Sequence, residues 1–218
     1  MELRLLSVNV AKPKPLATIH GEVVLSGIAK EPVTGERVFV GRTNIEGDGQ
    51  ADLSVHGGPD KAVYAYPADN WAWWESEHKL KCAPGAFGEN LTLAGANESV
   101  VRIGDRFRWG DALLEVSEPR APCFKFAIHA REPHAPAWLT QAGRCGWYLR
   151  VIEEGAAPTR DAVLMRVETE ETAPTVRESF LARFDPAVSR EARLRVLAMP
   201  RLARSWRESL EKRLSAAP

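Results

Sequence analysis

Short β-rich runs, most of them bounded by glycine, proline or aspartate, fill the first three quarters of this 218-residue chain. Many short runs with turn residues between them predict a β-barrel or sandwich rather than alternating strands and helices. Gly110-Asp111 separates two of the runs, which predicts a hairpin with a two-residue type II′ turn. The eight runs interpreted as strands are residues 22–28, 37–41, 62–66, 90–93, 106–109, 112–117, 147–152 and 163–168.

Two helices are expected among these strands. Asp69 can cap the first, in which Trp71, Trp74 and His78 recur at three- and four-residue spacing. The second covers residues 134–142. We expect the first of these helices to pack against the barrel.

The pattern changes after Glu168, where residues 169–174 are typical of a linker and the β-branched runs stop. Three short helices fit the remainder, with Pro200 in the first turn of the last one; they cover residues 175–184, 189–198 and 200–214. We therefore expect a mainly β barrel domain over residues 1–172 and a three-helix domain over residues 173–218. About forty residues are marginal as an independent fold, so the helices should dock on the barrel or on a second subunit.

The charge composition excludes a general attraction to polyanions. Lys plus Arg and Asp plus Glu number 29 each, so the net charge gives no overall field toward nucleic acid or an anionic membrane.

No window approaches the ~18 apolar residues of a membrane span, and the first residues lack a sustained apolar stretch, so we expect a cytoplasmic protein. Cys82, Cys123 and Cys145 are too few and too scattered for a disulfide framework.

The segment most indicative of function is residues 119–125, PRAPCFK, which follows the run 112–117. Pro119 and Pro122 restrict the backbone and interrupt a sheet ladder, so Cys123 should be held at a set position in a rigid loop. Arg120 and Lys125 favour the thiolate, the form that ligates metals and attacks electrophiles. From the loop alone, a buried structural cysteine is an equally good interpretation.

Two other segments supply candidate partners for Cys123. Gly57 and Gly58 allow close approach of a ligand and offer peptide N–H groups to an anion, with His56 at the mouth of the same turn. A histidine before two glycines is also common in a purely structural turn. Glu89 and Asn90 open a predicted strand, where they either recognise a heterocycle edge or hydrogen-bond loop backbone.

Protein ligands alone do not predict a metal site. The histidines form no H-x-x-x-H or Cys/His pair at zinc spacing. A single soft thiolate would instead suit a metal that arrives inside an organic cofactor. The serine-hydrolase, Walker A and dinucleotide-binding signatures are also missing.

Several of these segments, taken in order, resemble the MOSC family, the domain found at the C-terminus of molybdenum cofactor sulfurases, and within it the stand-alone YiiM-type branch. The tail after residue 172 resembles that branch's C-terminal helical domain. The similar segments are residues 48–53 (DGQADL), 56–67 (HGGPDKAVYAYP), 87–92 (FGENLT), 104–105 (GD), 119–125 (PRAPCFK) and 146–148 (GWY).

The resemblance implies a MOSC-type β-barrel that binds the molybdenum cofactor, Mo-molybdopterin, with Cys123 as the molybdenum ligand and catalytic residue. It also implies reduction of N-hydroxylated compounds, including hydroxylaminopurine-type base analogues, and therefore a detoxification role with a flavoprotein or similar electron donor. Arg120 and Lys125 would bind the cofactor's phosphate. The remaining site residues implied are His56, Gly57, Gly58 and Asn90 around the cofactor and Glu89 at the substrate rim.

Two other functions stay open at this point. Cys123 could carry a persulfide or ferry the cofactor, although no pyridoxal phosphate desulfurase domain is present to supply the sulfur. The cation-rich tail also invites comparison with a helix-turn-helix DNA reader. A solvated, protein-docked helix face is favoured there, because no glycine-containing turn joins the last two helices, so nucleic acid is not an expected partner. A homodimer is left open.

Overall fold

A computed structural model of the chain describes residues 1–51 and 57–216. The strands in this part of the chain are β1 (Glu2–Val10), β2 (Lys14–Ile19), β3 (Glu22–Ser26), β4 (Glu31–Pro32), β5 (Arg37–Gly41), β6 (Asn44–Ile45), β7 (Val63–Pro67), β8 (Leu91–Ala94), β9 (Arg106–Trp109), β10 (Ala112–Pro119), β11 (Trp147–Glu153), β12 (Gly155–Pro158) and β13 (Val163–Glu168). The α-helices are α1 (Trp71–His78), α2 (Phe124–Ala130), α3 (Ala135–Ala142), α4 (Val176–Phe184), α5 (Arg190–Leu197) and α6 (Arg204–Ala216).

Seven of the strands close into a mixed barrel. Hydrogen bonding runs in the order β13-β9-β10-β11-β7-β8-β1, and β1 pairs with β13 to complete the circle. β7 and β8 are parallel, whereas the other neighbours in the barrel are antiparallel. Outside the barrel, β4 pairs with the far end of β1, β2 and β3 form a hairpin, and β5, β6 and β12 form a small sheet. The predicted mainly β barrel with helices is therefore confirmed.

The hairpin predicted around Gly110-Asp111 is present. Trp109 and Ala112 face each other across β9 and β10, and Gly110 has a φ of +58°. A side chain at Gly110 would meet the carbonyl oxygen of Ala156 at 2.7 Å, so only glycine fits this turn.

Strand β1 has no counterpart among the eight predicted runs. Its first six residues alternate between exposed and buried, which is the period expected of a half-buried strand. Arginine, serine and asparagine interrupt its apolar positions, so the run is less obviously β-forming than its neighbours.

The helix starts differ from two of the predictions. Asp69 does not cap α1, because its carboxylate instead accepts a hydrogen bond from Gly95 N at 3.0 Å and Asn70 precedes the helix. Pro200 is not in the first turn of α6, which begins at Arg204 after a turn. The predicted helix over residues 134–142 corresponds to α3, with His134 at its N-cap.

The C-terminal helices pack on the barrel. Strand β10 is buried along its whole length, because α4 contacts it from outside while β9 and β11 flank it in the barrel. Phe180 of α4 and Trp206 of α6 belong to the same apolar cluster as Leu114 of β10. Because the cluster is continuous, the division into domains at residue 172 stays a prediction.

Among residues 1–51 and 57–216, no helix combines the length and the hydropathy needed to cross a bilayer.

Candidate functional site

A pocket lies beside the segment that carries Cys123. Counted out to its mouth, with the open solvent there included, it spans about 720 Å³. Cys123 lines it together with Gly57, Asn90, Arg120 and Lys125. The fold thus brings five of the predicted site residues into one cavity. His56 lies outside the described residues.

Cys123 stands between the end of a strand and the start of a helix. Pro119 closes β10 by pairing with Trp147, and Cys123 is the N-cap residue of α2, with an extended backbone at φ −137° and ψ 141°. Its carbonyl oxygen accepts a hydrogen bond from Phe126 N at 3.0 Å. The expected fixed position therefore comes from a short bridge between two regular elements, and the thiol is half-buried at the pocket wall.

The guanidinium of Arg120 is buried at the pocket, with 5% of the residue exposed. It lies 5.5 Å from the ring centre of Tyr64 and 5.2 Å from that of Phe126. Burial by itself would lower the pKa of Arg120, but the Tyr64, Tyr148 and Cys123 side chains outweigh it and raise the pKa above its ordinary value. Nη1 has no hydrogen-bond partner among the described residues. A buried cation with an unsatisfied donor is suited to receive an anion.

A polar network forms another wall of the pocket. Asp48 pairs with Lys30 and also accepts hydrogen bonds from Ala11 N at 2.9 Å and from the Asn90 amide at 2.8 Å. The amide oxygen of Asn90 accepts from Tyr64 N at 3.0 Å. Burial lowers the pKa of Lys30, and the neighbouring Asp48 carboxylate partly offsets this effect. Asn90 thus lies at the pocket, but its amide already joins three segments of the chain.

Glu89 does not lie at the rim of this pocket. It is fully buried, and its carboxylate accepts hydrogen bonds from Gly85 N at 2.8 Å, Phe87 N at 3.0 Å and Thr92 Oγ1 at 2.7 Å. Burial raises the pKa of this carboxyl group. The structural alternative, in which Glu89 holds its loop together, describes what the side chain does here.

Two other predicted residues lie at the edge of the site. Gly58 has a φ of +85° and precedes a 3₁₀ turn over Pro59–Lys61, but it is not among the residues that line the pocket. Lys125 lines the pocket and donates from Nζ to the carbonyl oxygen of Leu25 at 3.0 Å. Its ammonium is therefore anchored beside the β2–β3 hairpin.

Sequence reasoning missed several pocket residues, among them Lys30, Lys61, Tyr64 and Tyr148. Lys61 lies three residues after Gly58 in the sequence. A lysine so close to a glycine pair could have been identified as a candidate anion-binding residue. Tyr148 belongs to the GWY segment, and its ring centre lies 5.3 Å from that of Tyr64. Burial raises the pKa of Tyr148 to about 12, so its hydroxyl keeps its proton at neutral pH.

The pocket is cationic. Its described lining residues include four cations, Lys30, Lys61, Arg120 and Lys125, against the single carboxylate of Asp48. In the part of the chain that the structure describes, no three His, Cys, Asp or Glu side chains cluster to hold a metal by themselves. One thiol among several cations therefore suits an anionic ligand that brings its own soft metal.

Comparisons with known proteins identify the family. The family model described as MOSC domain matches residues 52–169. YflK of Bacillus subtilis (strain 168) is 40% identical over 208 residues, covering 95% of this chain and 93% of that protein. The crystal structure of YiiM from Geobacillus stearothermophilus has a TM-score of 0.81 at 35% identity, covering 97% of this chain and 99% of that one. The chain therefore belongs to the MOSC domain family, in its group of stand-alone YiiM/YflK-type proteins.

A third relative carries the name of an activity. A protein of Gibberella moniliformis (strain M3125 / FGSC 7600) named "Reductase" is 39% identical over 155 residues. The aligned part is 69% of this chain but 27% of that protein. The similarity thus concerns a minor part of a much longer chain.

Proposed function

We propose that this chain is a cytoplasmic oxidoreductase that uses the molybdenum cofactor to reduce N-hydroxylated compounds, hydroxylaminopurine-type base analogues among them. One observation carries the proposal: Cys123 shares a pocket with the buried guanidinium of Arg120 and with three lysines. Membership in the MOSC domain family and the relative named "Reductase" support oxidoreductase chemistry.

The residues of the pocket fit this cofactor. The sulfur of Cys123 is the soft ligand that molybdenum accepts. The unsatisfied Nη1 of Arg120 suits a phosphate oxygen, and Lys61 and Lys125 add positive charge around it. The cofactor when bound would supply the two-electron redox chemistry that amino-acid side chains lack.

The reaction sets a proton requirement that the pocket can meet. Reduction of an N–OH group breaks the N–O bond and consumes two electrons and two protons, which leaves an N–H group and water. We assign the electrons to a donor protein of the flavoprotein class. Burial lowers the pKa of Lys30, so its ammonium is a stronger proton donor than an ordinary lysine, whereas the Tyr148 hydroxyl is a weaker one. Lys30 is therefore the proposed proton source.

The first test replaces the thiol. In Cys123→Ala, loaded with molybdenum cofactor, we expect molybdenum content and hydroxylaminopurine reduction to fall by more than about 100-fold, because loss of groups that merely support a metal ligand already costs up to about that factor. Cys82→Ala is the matched control, since Cys82 is half-buried but not among the residues that line the pocket. Metal analysis and a substrate assay provide the two readouts. Undiminished values in Cys123→Ala would remove the ligand assignment.

The same protein distinguishes a carrier from a reductase. A carrier would show added sulfur on the Cys123 peptide by mass spectrometry and would pass it on without reducing the N-hydroxylated substrate. A reductase converts the substrate and leaves the mass of that peptide unchanged after turnover. The first result would replace the proposed function with a sulfur or cofactor carrier.

A further inference from the structure

The first turn of α6 contacts the end of β10. Ser205 Oγ donates a hydrogen bond to Glu118 Oε2 at 2.7 Å. Just before the helix, Ala203 N donates to the carbonyl oxygen of Ser117 at 2.9 Å. Glu118 is 2% exposed and Ser117 is fully buried, so these polar contacts lie inside the protein. The C-terminal helices therefore reach the strand that leads directly to Arg120 and Cys123.

From Glu118 the contact continues to a pocket lysine. Glu118 Oε1 lies 3.5 Å from the Nζ atom of Lys61, which lines the pocket. The neighbouring Ser117 hydroxyl contacts the carbonyl oxygen of Asp60 at 2.5 Å and that of Tyr148 at 3.1 Å. The end of β10 thus holds both the turn that contains Lys61 and the strand that carries Tyr148.

The two oxygens of Glu118 face opposite ways. Oε2 is fixed by Ser205 from α6, and Oε1 is thereby directed toward Lys61. Arg183 of α4 and Asp60 also lie near enough to influence this carboxylate. Burial raises the pKa of Glu118, while Lys61 and Ser205 oppose that rise. A buried carboxylate held on one side by a hydroxyl keeps a fixed orientation toward its partner on the other side.

We propose that Ser205 is a positioning residue for the pocket, because it orients Glu118, which in turn sets the place of the Lys61 ammonium. The C-terminal helices thereby contribute to anion binding at a pocket that they do not line. The identity of the anion rests on the proposed function, whereas the chain of contacts does not.

The binding test uses three serine variants of the full chain. In Ser205→Ala we expect retention of molybdenum cofactor, and affinity for inorganic pyrophosphate as a probe, to fall about three- to tenfold, which is the scale of one lost hydrogen bond. Ser205→Thr keeps the hydroxyl, so its cofactor retention and its pyrophosphate affinity should equal those of the wild type. Ser215→Ala is the matched control, because Ser215 is exposed on the same helix and bonds only within it. Equal affinities in Ser205→Ala and the wild type would overturn the proposal.

A second readout needs no ligand. The Cε resonance of Lys61, assigned by its absence from Lys61→Arg, should shift in Ser205→Ala and in Glu118→Gln but stay in place in Ser215→Ala. An unmoved Lys61 resonance overturns the positioning role even if cofactor is lost. If the Lys61 resonance moves in these variants but the wild-type protein binds neither molybdenum cofactor nor pyrophosphate, the positioning role is supported and the proposed function is contradicted. Failure of the positioning role and failure of the proposed function can therefore be distinguished.

Discussion

Arg120 carries a buried charge at the wall of the pocket, and burying a charge costs stability. A buried guanidinium loses its hydration, and the partners described for it are two aromatic rings rather than a carboxylate. Replacing buried charges with apolar side chains of similar size is often neutral or stabilising. Such a residue therefore reveals its function when binding and stability are measured on the same variant.

In Arg120→Met we expect the free energy of unfolding to stay within about 1 kcal/mol of the wild type or to rise, because the desolvation penalty disappears. Affinity for pyrophosphate should fall by at least about tenfold, since a charge-assisted hydrogen bond is worth roughly 1.5–3 kcal/mol. Urea denaturation and titration calorimetry measure the two effects. Arg108→Met is the control, because Arg108 pairs with Glu153 at the surface. A large loss of stability with unchanged affinity would make Arg120 a structural residue.

At the scale of single residues, the sequence alone identifies pocket residues whose flanking sequence is unusual. Pro119 and Pro122 lie on either side of Arg120 and both precede Cys123, and Arg120 and Cys123 both line the pocket. Lys30 has no such context, because a lysine before an ordinary loop is most often solvated, and its burial against Asp48 depends on distant segments. Glu89 shows a different limit of sequence reasoning: the same carboxylate suits a substrate or a set of backbone N–H groups, and only the fold shows which partners it has.

Among the elements, the helices begin where side chains can satisfy the first backbone N–H groups. Thr175 Oγ1 accepts from Glu178 N at 3.1 Å, and the Glu178 carboxylate accepts from Thr175 N at 2.8 Å. This reciprocal pair is the capping box that a threonine followed three residues later by glutamate predicts. It fixes the start of α4, the helix that covers β10.

For Thr175→Ala we expect a loss of about 1 kcal/mol in the free energy of unfolding, the usual cost of removing an N-cap. Thr172→Ala is the matched control, because Thr172 is exposed and bonds only to the nearby Glu170. Chemical denaturation followed by tryptophan fluorescence compares them. Equal midpoints for the two variants would mean that packing alone sets the start of α4.

The sequence predicts helices and turns well where neighbouring residues determine the backbone conformation. It predicts strands poorly where pairing with distant strands determines them. The Gly110 turn and the starts of α4 and α5 follow from glycine and from capping residues, and the structure has them. β1 depends on neighbours that arrive much later in the chain, β8 and β13, so its own residues give a weak signal. Asp69 has a better partner in Gly95 than in a helix end, which its local sequence does not reveal.

Across the whole molecule, charge is balanced in number but not in place. Four positive side chains line the pocket against one carboxylate, while Glu89, Glu98 and Glu118 are buried outside its lining with raised pKa values. The equal totals in the composition therefore conceal a cationic cavity. Each buried carboxyl group also makes the stability of the chain depend on pH.

Glu98 gives the sign of this dependence. Burial raises its pKa in the folded chain above the ordinary value of 4.5, so between those two pKa values the folded state binds more protons than the unfolded state. Lowering the pH from above the raised pKa toward 4.5 should therefore stabilise the wild type relative to Glu98→Gln, by up to about 1.4 kcal/mol per pH unit. Urea denaturation of both proteins across this range measures the difference. Parallel curves for Glu98→Gln and the wild type would contradict the prediction.

Closure of the barrel through β1 and β13 has a consequence for biosynthesis. Glu2 pairs with Met165, so the circle stays open until the ribosome has released almost everything up to β13. During that interval β1 offers unsatisfied backbone groups to any passing chain, and such long-range pairing is slow to form. Protection of the nascent polypeptide should therefore matter most before β13 emerges.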